Sequence, residues 1–302
     1  MGAQTDWPLE NVGKQAIRQF KWHGGAWNRA LDFHGDPCDP DLTVVSDGNH
    51  HMALEQALDR FAQSCTTAPR IFYLTLPPYV LSSILDHGGV HLGNLTLQVQ
   101  PDILIGPEPF VRKHTAQFGL QPMQYLATSR GNSFLVRRGN PKKLHTLHDI
   151  IESGARFFIS HPQREKASYE VYQQTLENLA AEEGIAEQKF RDWFDTGAEW
   201  FTVGQRVHHR EAPESLLAGT ADVTLLYHHL ALRFATIFSE RLEHVPVCGS
   251  GTDRPADVHV ITDYFIAPKR DGSALVQDCT QFMLSRQTAE IYQGFGLSRL
   301  KR

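Results

Sequence analysis

From Leu42 onward, short runs of β-branched and aliphatic residues alternate with longer segments whose apolar positions recur at helical spacing. Leu42-Thr-Val-Val-Ser46 predicts a strand, and Leu54, Leu58, Phe61 and Ala62 predict the buried face of a helix, with Ser46-Asp47-Gly48-Asn49 as the turn between them. Arg70–Leu76 predicts a second strand, which leads through Pro77-Pro78 into a helix over Tyr79–Asp86 that ends at Gly88-Gly89. Asp102–Gly106 and Ser133–Arg137 read as further strands.

The second half repeats this order. Arg156–Ser160 predicts a strand, His161–Lys166 a polar turn, and Tyr169, Tyr172, Leu176 and Leu179 one face of a helix ending near Gly184. A turn over His208-His209-Arg210-Glu211, a helix opened by Pro213 and closed by Gly219, and a strand over Ala221–Tyr227 follow. Trp193, Phe194, Trp200 and Phe201 lie where basic interleaving is thin, which predicts packing within a lobe rather than a base-stacking platform. Alternating strands and helices predict an α/β fold with largely parallel sheets, whose ligand rim lies at the strand ends that open into helices.

Residues 1–40 depart from this order. Trp7, Trp22 and Trp27, an amphipathic run from Leu9 to Phe20 and the turn formers of His34–Asp41 predict an N-terminal extension. The first twenty residues carry no basic stretch followed by an apolar run, so no secretory signal is written in them. The chain is expected in the cytoplasm if Met1 is its native start, and in the periplasm if a leader was removed. No apolar stretch approaches the roughly 18 residues of a membrane span, so no membrane insertion is expected.

At 302 residues the chain has room for two lobes or one large α/β domain. A net charge of −5, from 29 basic and 34 acidic side chains, lacks the electrostatic footprint of a nucleic-acid binder. Cys38, Cys65, Cys248 and Cys279 lie far apart with no C-x-x-C pair and read as free thiols. Neither G-x-S-x-G, nor a Walker loop, nor H-E-x-x-H occurs, and no cofactor motif is complete: Gly249-Ser-Gly-Thr-Asp-Arg254 matches a dinucleotide turn only in its first three residues. His87 and His91 are spaced i, i+4 across two glycines that disfavour a shared helix face.

The order of elements over residues 41–300 resembles the type II periplasmic solute-binding proteins of ABC transporters, and within them the molybdate-binding branch. The resemblance rests on Leu42–Ser46 with its helix, Gly131-Asn-Ser-Phe-Leu-Val136, His161-Pro162 with Ala167-Ser168-Tyr169, Leu217–Asp222 to Tyr227, and the closing helix Gln287–Leu297. It implies two lobes, 41–130 plus 260–302 and 131–259, each a mainly parallel sheet flanked by helices. Two crossover strands would join them, and hinge closure would bury a small anion between them. A molybdate- or tungstate-type oxyanion is the implied ligand. The resemblance also implies a non-enzymatic monomer that uses no cofactor and has an ABC-transporter permease as partner. The oxyanion contacts it implies fall on Ser46, the turn at Pro78, Ala167, the turn at Glu211, and Tyr227.

The residues themselves add Asn49, Tyr79, Ser168 and Tyr169 as turn donors or neighbours, since hydroxyls and N–H groups at helix N-termini hold an oxyanion without a full counter-charge. Two features depart from the family. Pro77 and Pro78 offer no N–H, and the Asp47 carboxylate would repel an anion if it faced one.

Sixteen histidines include three adjacent pairs, His50-His51, His208-His209 and His228-His229, each in a predicted rim turn, with His161 in another. His50, His209 and His228 could ligate a metal ion or a metal complex, which is a second reading of the same scaffold. Arg164, Lys166, Arg206 and Arg210 favour an anion, while Asp47, Glu165, Glu170 and Glu211 suit a cation. A third reading is a cytoplasmic sensor or enzyme on this fold, motivated by the absent signal and by residues 1–40.

Overall fold

The computed structural model describes residues 33–92, 95–195, 197–205 and 207–299. Trp7, Trp22, Trp27, the run from Leu9 to Phe20 and Arg206 lie outside them. The chain forms two compact units, one of residues 33–128 with 262–299 and the other of residues 129–261.

In the first unit the chain runs β1 (Phe33–His34), β2 (Leu42–Asp47), a 3₁₀ turn at Gly48–His50, α1 (His51–Ser64), β3 (Ile71–Leu76) and α2 (Pro78–Asp86). It continues through β4 (Gly89–Leu92), β5 (Leu95–Gln98), β6 (Ile103–Pro107), α3 (Glu108–Thr115) and β7 (Gln124–Thr128). It then builds the second unit from β8 (Asn132–Arg137), α4 (Leu147–Glu152), β9 (Phe157–Ile159), α5 (Lys166–Glu182) and α6 (Glu187–Trp193). That unit is completed by β10 (Phe201–Val203), α7 (His208–Leu217), β11 (Val223–Tyr227), α8 (His228–Ile237) and β12 (Leu242–Pro246). The chain returns to the first unit with β13 (Asp263–Pro268), α9 (Ala274–Met283) and α10 (Arg286–Gly294).

The first unit holds a sheet of order β1-β3-β2-β6-β13-β7. β2, β3 and β6 are parallel, and β1 and β13 run against their neighbours. β2 is covered on both faces and buried at every position, with Leu42, Val44 and Val45 in the core and the polar Ser46 and Asp47 at its end. Its period of two splits the core: Val44, Ile103, Ile105 and Ile266 pack with Leu54, Leu58 and Phe61 of α1 and Met283 of α9. Val45, Leu74, Leu104 and Ala267 pack on the other side with Leu81 and Leu85 of α2 and Phe110 of α3. Burying each such side chain stabilises by roughly 1.5–3 kcal/mol. β1 pairs with β3, so residues read as the end of an extension form an edge strand of this sheet.

The second sheet has the order β10-β9-β11-β8-β12, with β9, β10 and β11 parallel and β8 inserted antiparallel. Its flank is aromatic: the Trp193 ring lies 5.4 Å from Phe157 and 5.1 Å from Phe201. These rings pack within the unit. The turn expected at His208–Glu211 is instead the first turn of α7, and Pro213 lies inside that helix rather than opening it. All four cysteines are free thiols.

Candidate functional site

In the second unit the parallel strands β9, β10 and β11 end in the turns that lead to α5, α7 and α8, so three helix N-termini gather at one rim of one sheet. Ser160 follows β9 directly, is fully buried, and its hydroxyl has no hydrogen-bond partner. The turn after it is held by His161, whose Nδ1 accepts from the N–H groups of Gln163 and Arg164. No side chain caps α5, and the N–H groups of Lys166, Ala167 and Ser168 meet no backbone acceptor among the described residues. Seventeen residues of helix thus point a positive dipole end at this turn. The Arg164 guanidinium donates to the Gln205 carbonyl, which places a cation along the rim, while Lys166 is paired with Glu170 at 3.5 Å.

The turn before α7 is already supplied with anions. The His208 N–H donates to Glu165 Oε2 at 2.8 Å, and the Gln205 N–H to Glu211 Oε2 at 2.9 Å. Glu165, His209 and Glu211 are buried, so the Glu211 carboxylate serves its own turn. The His208 ring stacks on Phe158 with centroids 5.4 Å apart and lies 5.1 Å from Tyr172. The Thr224 hydroxyl donates to the Phe158 carbonyl, so it receives His208 Nε2–H at 3.1 Å. That pattern leaves Nδ1 as a lone-pair acceptor, buried and without a partner. Burial pushes the imidazole pKa down to about 3, only partly opposed by the Phe158 carbonyl. On β8, Asn132 donates its amide to Thr175 Oγ1 at 2.9 Å, while its Oδ1 is buried and unpartnered.

Tyr227 ends β11 and packs against Tyr172, with its N–H directed at the Tyr172 hydroxyl. His228 opens α8, and its Nδ1 lies 2.9 Å from Ser133 Oγ, which also meets Ser250 Oγ at 2.8 Å. Gly251, at φ 83°, lies flat against the His228 ring, where a Cβ would approach within 2.5 Å. Burial, reinforced by the charges of His244 and Arg130, lowers the His228 pKa to about 4.

In the first unit the corresponding rim is the turn after β2. Ser46 is fully buried, and its hydroxyl lies 3.2 Å from His50 Nε2. His50 Nδ1 reaches Tyr292 at 3.0 Å, and burial pushes its pKa down to about 3. Asp47 does not face solvent: it accepts from the Asn49 backbone N–H and from Asn49 Nδ2. Burial raises its carboxyl to about 7 against those hydrogen bonds. At the turn after β3, Pro78 opens α2 and Tyr79 is 66% exposed.

The structure therefore separates the residues expected from sequence. Ala167, Ser168 and Tyr169 lie in the first turn of α5, close in sequence to the unpartnered Ser160. Ser46, Asn49, His50 and His228 are engaged in internal hydrogen bonds. The histidine pairs are helix-start residues packed beneath the rim, and no group of three or more His, Cys, Asp or Glu able to hold a metal ion occurs among the described residues. Ser160 and Asn132 were not singled out from the sequence, and His208 was read there only as a member of the His208-His209 pair. Ser160 had a legible signal, because it ends its strand before a polar turn as Ser46 does.

Among the described residues no helix is long and apolar enough to cross a membrane. A search of curated proteins finds no match in sequence. Several solved structures share the fold at low identity. PEB3, a Campylobacter jejuni protein solved with L-phospholactate bound, superposes with a TM-score of 0.61 at 14% identity, over 86% of this chain and 100% of that one. The sulfate-binding protein SubI of Mycobacterium tuberculosis gives 0.63 at 16% identity, over 86% and 87%. The periplasmic molybdate-binding protein of Azotobacter vinelandii gives 0.58 at 17% identity, over 87% and 100%. A model of the bacterial extracellular solute-binding protein family matches residues 42–298, and the chain belongs to that family of two-lobed binding proteins, which are not enzymes.

Proposed function

We propose that the chain captures a small oxyanion at the rim of β9, β10 and β11, and passes it to an ABC-transporter permease outside the cytoplasm. The observation that carries this reading is the fully buried, unpartnered Ser160 hydroxyl in the turn that leads to the uncapped N-terminus of α5. A buried hydroxyl without a partner costs about 1–3 kcal/mol, a penalty that a bound anion accepting from it would remove. The N–H groups of Ala167 and Ser168 then supply further donors, and Arg164 a favourable potential. The structural neighbours that bind sulfate, molybdate and phospholactate support an oxyanion of this kind. A molybdate- or tungstate-type ion is one candidate within that class.

The test is a thermal-shift series with molybdate, tungstate, sulfate, phosphate and small carboxylates. A ligand at 100 times its dissociation constant stabilises the fold by about 2.7 kcal/mol, which raises the melting temperature by a few degrees. No shift with any of these anions would contradict the reading. No observation favours the metal receptor over it.

A further inference from the structure

We infer that His161 is the positioning residue of the anion site: its neutral imidazole holds the turn between β9 and α5 from within, so anion capture weakens when that ring takes up a proton. The inference rests on the oxyanion reading above, because the turn it shapes carries Ser160 at one end and the N-terminus of α5 at the other.

The bonds themselves set the protonation state. His161 Nδ1 lies 3.1 Å from the Gln163 nitrogen and 3.2 Å from the Arg164 nitrogen, and both are backbone N–H donors. Nδ1 can meet them only with its lone pair, which places the ring hydrogen on Nε2. An imidazolium carries hydrogen on both nitrogens, so protonation turns the acceptor into a third donor facing the other two. The backbone continues from this point into the helix. The Glu165 N–H donates to the His161 carbonyl at 3.0 Å, and the Tyr169 N–H to the Glu165 carbonyl at 2.9 Å.

No side chain caps α5, so the imidazole has no substitute at the helix start. The other side-chain bonds of the turn run outward, from Arg164 to the Gln205 carbonyl and from Glu165 to the His208 N–H. Elsewhere the chain uses acceptors that do not titrate: Thr146 caps α4, Ser285 caps α10, and the Asn140 amide binds both the N–H and the carbonyl of Leu144. Histidine, in contrast, is the side chain whose charge changes between about pH 5 and 8.

A proton on His161 also brings a positive charge toward the anion, which acts in the opposite direction. The ring is half-buried and its bonds are exposed, so water and salt screen that charge, while the lost acceptor acts on the turn directly. The charged groups about it are Arg164, Glu165 and Lys166 on its own turn, and Arg210 and Glu211 in the first turn of α7. Arg164 follows His161 by three residues, and a second cation there adds repulsion within the turn.

The experiment compares the full native chain with His161→Asn and His161→Ala by titration calorimetry at pH 8 and pH 5.5, with sulfate and molybdate as probes. An asparagine oxygen accepts from the N–H groups two and three residues on and does not titrate, whereas alanine accepts nothing. At pH 8 the native chain and His161→Asn are expected to bind alike, with His161→Ala weaker by about fivefold or more. On going to pH 5.5 the native chain is expected to lose affinity relative to His161→Asn by a similar factor. Equal affinity of His161→Ala and the native chain at pH 8, or a parallel response of native and His161→Asn to pH, would overturn the inference and leave the oxyanion reading intact. Binding of neither anion by the native chain at pH 8 would remove the inference, and the wider anion series above then decides the oxyanion reading. Hydrogen exchange in the free chains gives a second readout: the Gln163 and Arg164 amides are expected to exchange faster in His161→Ala and to be protected again in His161→Asn. Equal protection in all three would also overturn the role of His161. If His161→Ala does not fold, the pH response of native against His161→Asn decides the matter.

Discussion

Two buried side chains show how far single residues could be read. Asp47 stood out in the sequence as a carboxylate at a predicted anion rim, but sequence cannot show which way it faces. In the structure it caps its own turn through Asn49, and burial raises its carboxyl to about 7. Because the folded-state value lies above the unfolded one of 3.8, the native state holds the proton more tightly. This contribution is present at low pH and is lost as pH rises through about 7. Asp47→Asn is therefore expected to be more stable than the native chain at pH 8, by an amount of order 4 kcal/mol, and to show little difference near pH 4. Urea unfolding at the two pH values measures this, and equal stability at pH 8 would count against a buried, strained carboxylate. Ser160 was legible only as the end of a strand. Its missing partner is a property of the packed rim, which no local pattern encodes.

At the level of elements, the central strands were readable because a strand buried on both faces carries β-branched and apolar residues through most of its length, as Leu42-Thr-Val-Val45 of β2 does. The N-terminus of α7 was misread because Pro213 looks like a first-turn residue, yet the helix begins at His208, with Glu165 satisfying its first N–H. β4, β12, β13 and α6 were not read from the sequence: β12, Leu242-Glu-His-Val-Pro246, is interrupted by two polar residues, and the seven residues of α6 span barely two turns. The start of β11 rests on a polar anchor that periodicity also misses. Asp222 accepts from the Arg156 backbone, from Arg156 Nε and Nη2, and from Lys142. Burial alone would raise its pKa, but these bonds hold it well below the usual carboxylate range. Its contribution is thus present above the unfolded value and lost as pH falls through the folded one. Asp222→Ala leaves the Arg156 N–H without its acceptor and is expected to destabilise by about 2 kcal/mol, discounted for the partly exposed cations. Equilibrium unfolding checks this as a lower midpoint with an unchanged denaturant slope.

For the whole molecule the opposing titrations define a pH optimum. His50, His208 and His228 are held neutral by burial, at about 3, 3 and 4 against an unfolded value of 6.5. Each stabilises the fold above pH 6.5 and ceases to do so as pH falls toward those values. Asp47 acts with the opposite sign between about 4 and 7, so three losses oppose one gain on acidification. The melting temperature of the free protein is expected to peak between about pH 6 and 7 and to fall steeply below 6. A profile that rises toward pH 4.5 would contradict the buried neutral histidines. This also revises the role of the histidine pairs, which strike the eye in the sequence as ligands. In the structure they start helices and are buried, and His50, His208 and His228 contribute to stability as neutral imidazoles.

The central claim is that the buried, unpartnered Ser160 hydroxyl, in the turn between β9 and α5, holds an oxyanion. Titration calorimetry of the native chain and Ser160→Ala against the best-binding anion tests it most directly. The account predicts single-site binding that weakens about tenfold or more in the variant, the loss of one hydrogen bond to a charged group, with the melting temperature of the free protein raised because an unsatisfied buried hydroxyl is removed. Equal affinity in the two proteins would contradict it.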